Sequence, residues 1–345
     1  MAVPIGSIVR TLVFSFSIVS ASTSVAQTDN GSVELAIQQE LTAPGPEGSL
    51  AGTLTLPVGD GAISDEAPVV LIVPGSGPTD RNGNSPLGIS AAPYALLAEA
   101  LAEQGIPSLR IDKRGMFGSM SAIPDPNDVT ITAYGDDLLA WTQAIRDRLP
   151  RTDGGTRCIV PLGHSEGGLV ALVAIARLPN PCGLILVSTP GRPLGTVLRE
   201  QLHANPANAP ILSEADEAIM ALERGERVDV SAFHPALQPL FAPVVQGFLI
   251  DAFAYDPAAL MAQTRVPVLI IQGLRDLQVG ETDARRLADA APEATLSFAP
   301  DVNHVLKVVS SDDTATNYAA YADPDLPIAQ DVVEAVAHFL EQFDE

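Results

Sequence analysis

Residues 158–176 read CIVPLGHSEGGLVALVAIA. A short apolar run stops at Gly163, a lone hydroxyl follows at Ser165, and after Gly167 the apolar residues continue with helical texture. The pattern is strand, sharp turn, helix, with a serine at the turn between two glycines. Side chains at 163 and 167 would collide with the neighbouring helix and strand, which explains the glycines. A helix N-cap explains the serine but not both glycines. The turn lifts a hydroxyl to the carboxyl end of a sheet, with a helix N-terminus behind it.

The flanking sequence supplies the sheet. Upstream, VELAIQQE and SLAGTLTLP flank a turn at Pro44–Gly48 and predict an antiparallel pair. Then PVVLIV, PSLRID, CIVPLG and GLILVS alternate with helical patterns such as PYALLAEALAEQG and AYGDDLLAWTQAIRDRL. The alternation breaks over 190–264, where helical runs replace strands. It resumes with VPVLIIQG, ATLSFA and a closing helix in PIAQDVVEAVAHFLEQF. Strand–helix alternation predicts an eight-stranded, mostly parallel sheet with helices on both faces. The interruption predicts a helical cap over the strand ends. The expected division is 27–189 and 265–345 for the core and 190–264 for the cap.

The first 26 residues are read apart from the fold. Arg10 precedes a short apolar stretch, and Ser24-Val25-Ala26 carries small residues where a signal peptidase reads, so cleavage is expected before Gln27. The stretch is too short and serine-rich to span a bilayer. A periplasmic or secreted protein without stable membrane insertion is expected. In such a compartment Cys158 and Cys182, each at the start of a predicted strand, form either a disulfide or two separate buried thiols. Acidic residues number 42 against 19 basic ones, which disfavours nucleic acid as a partner.

A serine hydroxyl needs a base. Of the five histidines, His164 adjoins the serine and is expected to point away from it. His203 and His234 lie in the helical insertion, and His338 lies on the last helix. His304, in DVNHVLK after the final strand, falls at the same sheet edge as Ser165. Asp276, in QGLRDLQV after the seventh strand, is the candidate acid for orienting it, with Asp251 in the cap a rival. The oxyanion donors are assigned to the backbone N–H groups of Glu166 and of Ser76 in PGSGPTDRNGN, with Gly77 as the alternative. That loop lacks the lysine and spacing of a phosphate-binding loop. No cysteine or histidine cluster has metal-ligand spacing, and no cofactor is implied.

With these residues assembled, the chain resembles the α/β-hydrolase superfamily, and within it exported bacterial serine hydrolases of the serine-aminopeptidase-like or lysophospholipase-like branch. PGSGPTDRNGN, RIDKRG, GHSEGG, QGLRDLQV and NHVLK carry the resemblance, in that order. It implies that Asp112, Arg114 and Gly115 shape the loop beside Ser165, and that Asp80 and Arg81 lie near the oxyanion loop. KRGMFGS departs from the expected spacing, so Met116 and Phe117 are expected to alter that pocket wall.

The expected activity is hydrolysis of a small-molecule carboxylic ester through Ser165, His304 and Asp276. A peptidase or thioesterase of the same mechanism is the alternative, with Glu214, Asp216 or Glu217 anchoring a substrate amine in the peptidase case. An inactive binding protein on the same fold is a third reading. Gly77, Phe241 and Phe248 are assigned to substrate binding, Phe241 and Phe248 on an apolar stripe from Leu240 to Phe253 that either packs inward or lines the cleft. The sequence leaves the acyl preference and oligomeric state open.

Overall fold

A computed structural model describes residues 36–58, 63–311 and 313–343. The expected signal segment, its cleavage point and residues 33–35 of the first predicted strand lie outside these. Eight strands form one sheet: β1 (Ala36–Pro44), β2 (Ser49–Pro57), β3 (Val69–Val73), β4 (Ser108–Ile111), β5 (Ile159–His164), β6 (Leu184–Val187), β7 (Val268–Gly273) and β8 (Thr295–Ala299). Their spatial order is β1-β2-β4-β3-β5-β6-β7-β8. Only β2 runs against its neighbours β1 and β4; every other pairing is parallel.

The central strands β3, β5, β6 and β7 are buried throughout, so they read as apolar runs rather than alternating ones. Their side chains still alternate between two cores. Val69, Leu71 and Val73 face one side, with Trp141 and Leu169, while Val70 and Ile72 face the other, with Leu97 and Val336. Helices α1 (Pro93–Glu103) and α10 (Gln330–Leu340) cover the second face; α2 (Ile131–Arg148), α3 (Glu166–Ile175) and α8 (Glu281–Ala290) cover the first. A short helix, α9 (Thr314–Ala319), lies between β8 and α10.

Between β6 and β7 the chain forms α4 (Leu194–Ala204), α5 (Leu212–Glu223), α6 (Gln246–Phe253) and α7 (Pro257–Met261). Helices α4 to α6 enclose a separate apolar cluster around Ile219, Leu222, Leu237 and Phe241. Ala252 and Met261 join the main core instead, and α7 packs on α3 and α8. Cys158 and Cys182 are disulfide-bonded, with Cα atoms 5.6 Å apart, where β5 and β6 begin. No helix among the described residues is long and apolar enough to cross a membrane.

Candidate active site

Ser165 sits between β5 and α3 with φ 55° and ψ −125°, a left-handed φ that a side chain rarely adopts. Two backbone bonds hold it there: the Ser165 N–H donates to the Val187 carbonyl at 3.0 Å, and the Gly168 N–H donates to the Ser165 carbonyl at 3.0 Å. A Cβ on Gly163 would overlap the Gly167 carbonyl, and one on Gly167 would lie 2.7 Å from the Pro74 carbonyl and closer still to that of Val73. Helix and strand approach each other backbone to backbone on both sides of the serine. Gly168, not singled out in the sequence, is equally constrained, because its Cβ would strike Thr189.

His304 and Asp276 come together from the loops after β8 and β7. His304 Nδ1 lies 2.8 Å from Asp276 Oδ2, and both side chains are buried. Asp276 Oδ1 accepts the N–H groups of Gln278 at 2.7 Å and Val279 at 3.0 Å. Burial pushes the Asp276 carboxyl up, but the charge and hydrogen bond of His304 and the two amides together outweigh it, and its pKa is lowered. An ionised Asp276 only accepts, so Nδ1 carries the proton and Nε2 is the basic nitrogen. His304 and Ser165 line the same cleft. The rival acid is committed elsewhere: Asp251 Oδ2 accepts the Ile131 N–H at the start of α2, at 2.7 Å.

The remaining histidines separate clearly. His203 pairs with Asp216 on the cap surface, His234 Nδ1 accepts the Ala236 N–H, and exposed His338 pairs with Glu341. His164 is buried and joins two parts of the site. Its Nε2 lies 2.8 Å from the His304 carbonyl, which accepts only, so Nε2 carries the proton. Nδ1 then accepts from the Tyr94 hydroxyl at 2.8 Å, and that hydroxyl in turn accepts the Gly75 N–H at 3.1 Å. Burial first, and the nearby His304 second, lower the His164 pKa to about 3. Its partner Tyr94 stands on α1, far away in sequence, so no local spacing announces the pair.

Gly75 carries the loop after β3 over the serine: a Cβ there would lie 3.1 Å from that of Ser165. Ser76 and Glu166 both line the cleft. Glu166 is the first residue of α3, so its N–H has no intrahelical acceptor. Asp80 accepts the N–H groups of Asn82 and Asn84, and Arg81 is held by Asp112 through its backbone N–H and guanidinium. Arg114 forms a two-pronged pair with Asp137. These residues brace the loops around the cleft.

The cleft holds about 150 Å³ and is walled by the cap residues Leu194, Val197, Leu198, Leu240, Phe248 and Phe253 and the core residues Ile89, Val279 and Val305. Phe248 is therefore placed as expected, but Phe241 is not. It is fully buried inside the cap. The predicted helical stripe starts too early: the helix begins only at Gln246, after Pro243, and the turns before it rotate Phe241 inward and Leu240 toward the cleft. Val244, also counted in that stripe, is 63% exposed.

Gly77, with φ 76°, lines a smaller adjoining cavity rather than the cleft, because the loop turns away after Ser76. Met116 lines that side cavity too, whereas Phe117 points to solvent. Phe248 and Glu166 border both spaces. Glu214, Asp216 and Glu217 are absent from the cleft wall. Among the described residues, no group of three or more His, Cys, Asp or Glu side chains forms a metal-binding cluster.

Residues 70–320 match the alpha/beta hydrolase family, and the chain belongs to it. The Thermotoga maritima esterase EstD is 28% identical over 262 residues, covering 74% of this chain and 58% of that protein. Lipase 1 of Psychrobacter immobilis is 23% identical over 176 residues, 46% of this chain and 54% of that protein. The chain thus spans little more than half the length of these relatives. A solved Pyrococcus furiosus esterase shares the fold at 15% identity and a TM-score of 0.54, covering 96% of this chain and 100% of that one.

Proposed function

We propose that the protein is a serine hydrolase acting on small carboxylic esters with an apolar acyl group. The observation that carries this reading is the Asp276–His304 hydrogen bond, with His304 opening onto the same apolar cleft as Ser165. In this reading the Ser165 oxygen attacks the acyl carbon while His304 Nε2 takes its proton. Asp276 holds the ring with Nδ1–H inward and stabilises the imidazolium. The N–H groups of Glu166 and Ser76 receive the developing oxyanion. Collapse of the tetrahedral intermediate breaks the bond to the alcohol, which leaves with the proton from His304. Water, deprotonated by His304, then releases the acid and restores Ser165.

Two observations favour an ester over a peptide. The named relatives are an esterase and a lipase. The cleft wall also carries no carboxylate placed for an amine, since Glu166, its one acid, is ion-paired with Lys113. Aryl esters of short to medium acids should be cleaved with kcat/KM at least about 10²-fold above any aminoacyl amide, because an amide leaving group demands closer placement and protonation. A matching efficiency on a peptide N-terminus would replace this reading with the peptidase. Absence of fluorophosphonate labelling at Ser165 in folded protein would favour an inactive scaffold. Export to an oxidising compartment belongs to the same proposal, supported by the residue 1–26 pattern and the Cys158–Cys182 bond. N-terminal sequencing of exported material should begin at or near Gln27.

A further inference from the structure

The segment after β4 reads Asp112-Lys113-Arg114. Asp112 binds Arg81 and Arg114 binds Asp137; Lys113 instead borders the side cavity and reaches Gly75 and Glu166. Its side chain is 3% exposed. Nζ donates to the Gly75 carbonyl at 2.7 Å and to Glu166 Oε1 at 3.2 Å, and it lies 5.2 Å from the centre of the Tyr134 ring. The ammonium is thus satisfied by a peptide oxygen, a carboxylate and an aromatic face, at a depth where an unpaired charge would be prohibitive.

The two oxygen partners belong to the two residues that set the proposed oxyanion donors. The Gly75 carbonyl and the Ser76 N–H are the two ends of one peptide unit. No cis peptide occurs among the described residues, and in a trans unit these groups point in opposite directions. A cation on the carbonyl therefore aims the Ser76 N–H away from Lys113. It also draws electron density toward the oxygen and makes that N–H a stronger donor. The preceding peptide is held as well, because the Tyr94 hydroxyl accepts the Gly75 N–H, so Gly75 is fixed on both sides of its Cα. Glu166 contributes the other donor through its backbone, and its side chain accepts from Lys113 Nζ and holds it in place.

We infer that Lys113 is a positioning residue for the oxyanion site: it orients and polarises the Ser76 N–H and couples it to the helix that presents the Glu166 N–H. This inference rests on the serine hydrolase reading. It predicts an effect on the transition state rather than on substrate binding.

The test compares wild type with Lys113→Met and with the charge-balanced double variant Lys113→Met/Glu166→Gln, which leaves no buried carboxylate unpaired. Each is measured on one aryl ester, and on a trifluoromethyl ketone whose serine adduct mimics the tetrahedral oxyanion. The melting temperature of each variant verifies folding. The expected result is a fall in kcat of about 10²-fold, the size of losing one oxyanion donor, with KM within about threefold. The ketone inhibition constant should rise in step with the loss of kcat/KM, which a general loosening of the fold would not produce. If the folded double variant keeps kcat and ketone affinity within about threefold of wild type, the inference is wrong while the parent reading stands. If wild-type protein shows neither ester turnover nor labelling at Ser165, both fall together.

Discussion

The elbow at Ser165 and the cap that faces it are built on different principles. Around the elbow, position is set by backbone. Ser165 is tied to Val187, His164 bridges Tyr94 and the His304 carbonyl, and Asp276 takes two amides besides His304. The glycines there have no space for a side chain. In the cap, position is set largely by apolar side chains between helices and proline-broken turns, with polar ties to the core near its two ends, at Arg192–Asp283 and Asp256–Arg286, and between them. Two of those between are Gln201 Nε2 to the Gln278 carbonyl at 2.7 Å and Asp251 to the Ile131 N–H. Backbone geometry tolerates almost no substitution, whereas apolar contacts tolerate many at graded cost. Rate should therefore be decided at the elbow and preference at the cap.

The sharpest way to break that contrast is Ser165→Ala. Turnover should fall by about 10⁶-fold, as loss of a nucleophile does elsewhere, and fluorophosphonate labelling should disappear. Residual labelling at the wild-type rate would move the chemistry away from the elbow. Next in size is Phe241→Ala, which empties the interior of the cap. A loss of about 3–5 kcal/mol is expected in urea denaturation, with acyl-chain preference unchanged, because the ring does not reach the cleft.

Phe248→Ala should do the opposite. It joins the cleft to the side cavity and should shift preference toward bulkier acyl groups by about 10-fold or more, while Ser165 labelling persists. A ratio of kcat/KM values for short and branched esters that does not move would place specificity elsewhere.

The buried His164 makes the elbow side acid-sensitive. Its pKa is lowered from 6.5 to about 3 in the folded protein, so below about pH 6.5 the unfolded chain binds a proton that the folded chain does not. Stability contributed in this way is complete above pH 6.5 and is lost as pH falls toward 3. Between pH 7 and 5 the loss should be about 2 kcal/mol. Urea midpoints for His164→Gln should show a shallower acid slope than wild type, and an identical slope would refute the assignment. The smallest effect expected is that of Gln201→Ala. Loss of one tie between α4 and the Asp276 loop should cost about 1 kcal/mol, seen as faster amide exchange in the cap and a modest rise in KM.

Sequence patterns announce most of the frame and only part of the site. The alternation of apolar strands with helices is a local signal, and the sheet follows it. Gly163 and Gly167 are legible because a strand–turn–helix junction leaves them one physical explanation. Asp276 and His304 are legible because they follow strands at one edge. The lysine beside Asp112 is different: its meaning lies in Gly75 and Glu166, which the chain brings to it only by folding. Tyr94 and His164 likewise meet across the core. Phe241 misleads because periodicity carries no phase through Pro239 and Pro243. The insertion of β4 between β2 and β3 is a matter of pairing, which strand composition does not encode.

The Cys158–Cys182 bond, with its 24-residue separation, gives the site an unusual topology. Together the two cysteines close a covalent ring that contains β5, Ser165 and all of α3. The clasp lies at the end of the parallel strands where they begin, and the serine at the end where they finish. A single peptide cut anywhere in the ring leaves one molecule, and its two pieces separate only after reduction. Closing a ring of this size restricts the unfolded chain by about 3.5 kcal/mol in the chain-entropy model. In the oxidised chain the segment that carries Ser165 is thus drawn into a loop even when unfolded, with the starts of β5 and β6 tethered as neighbours.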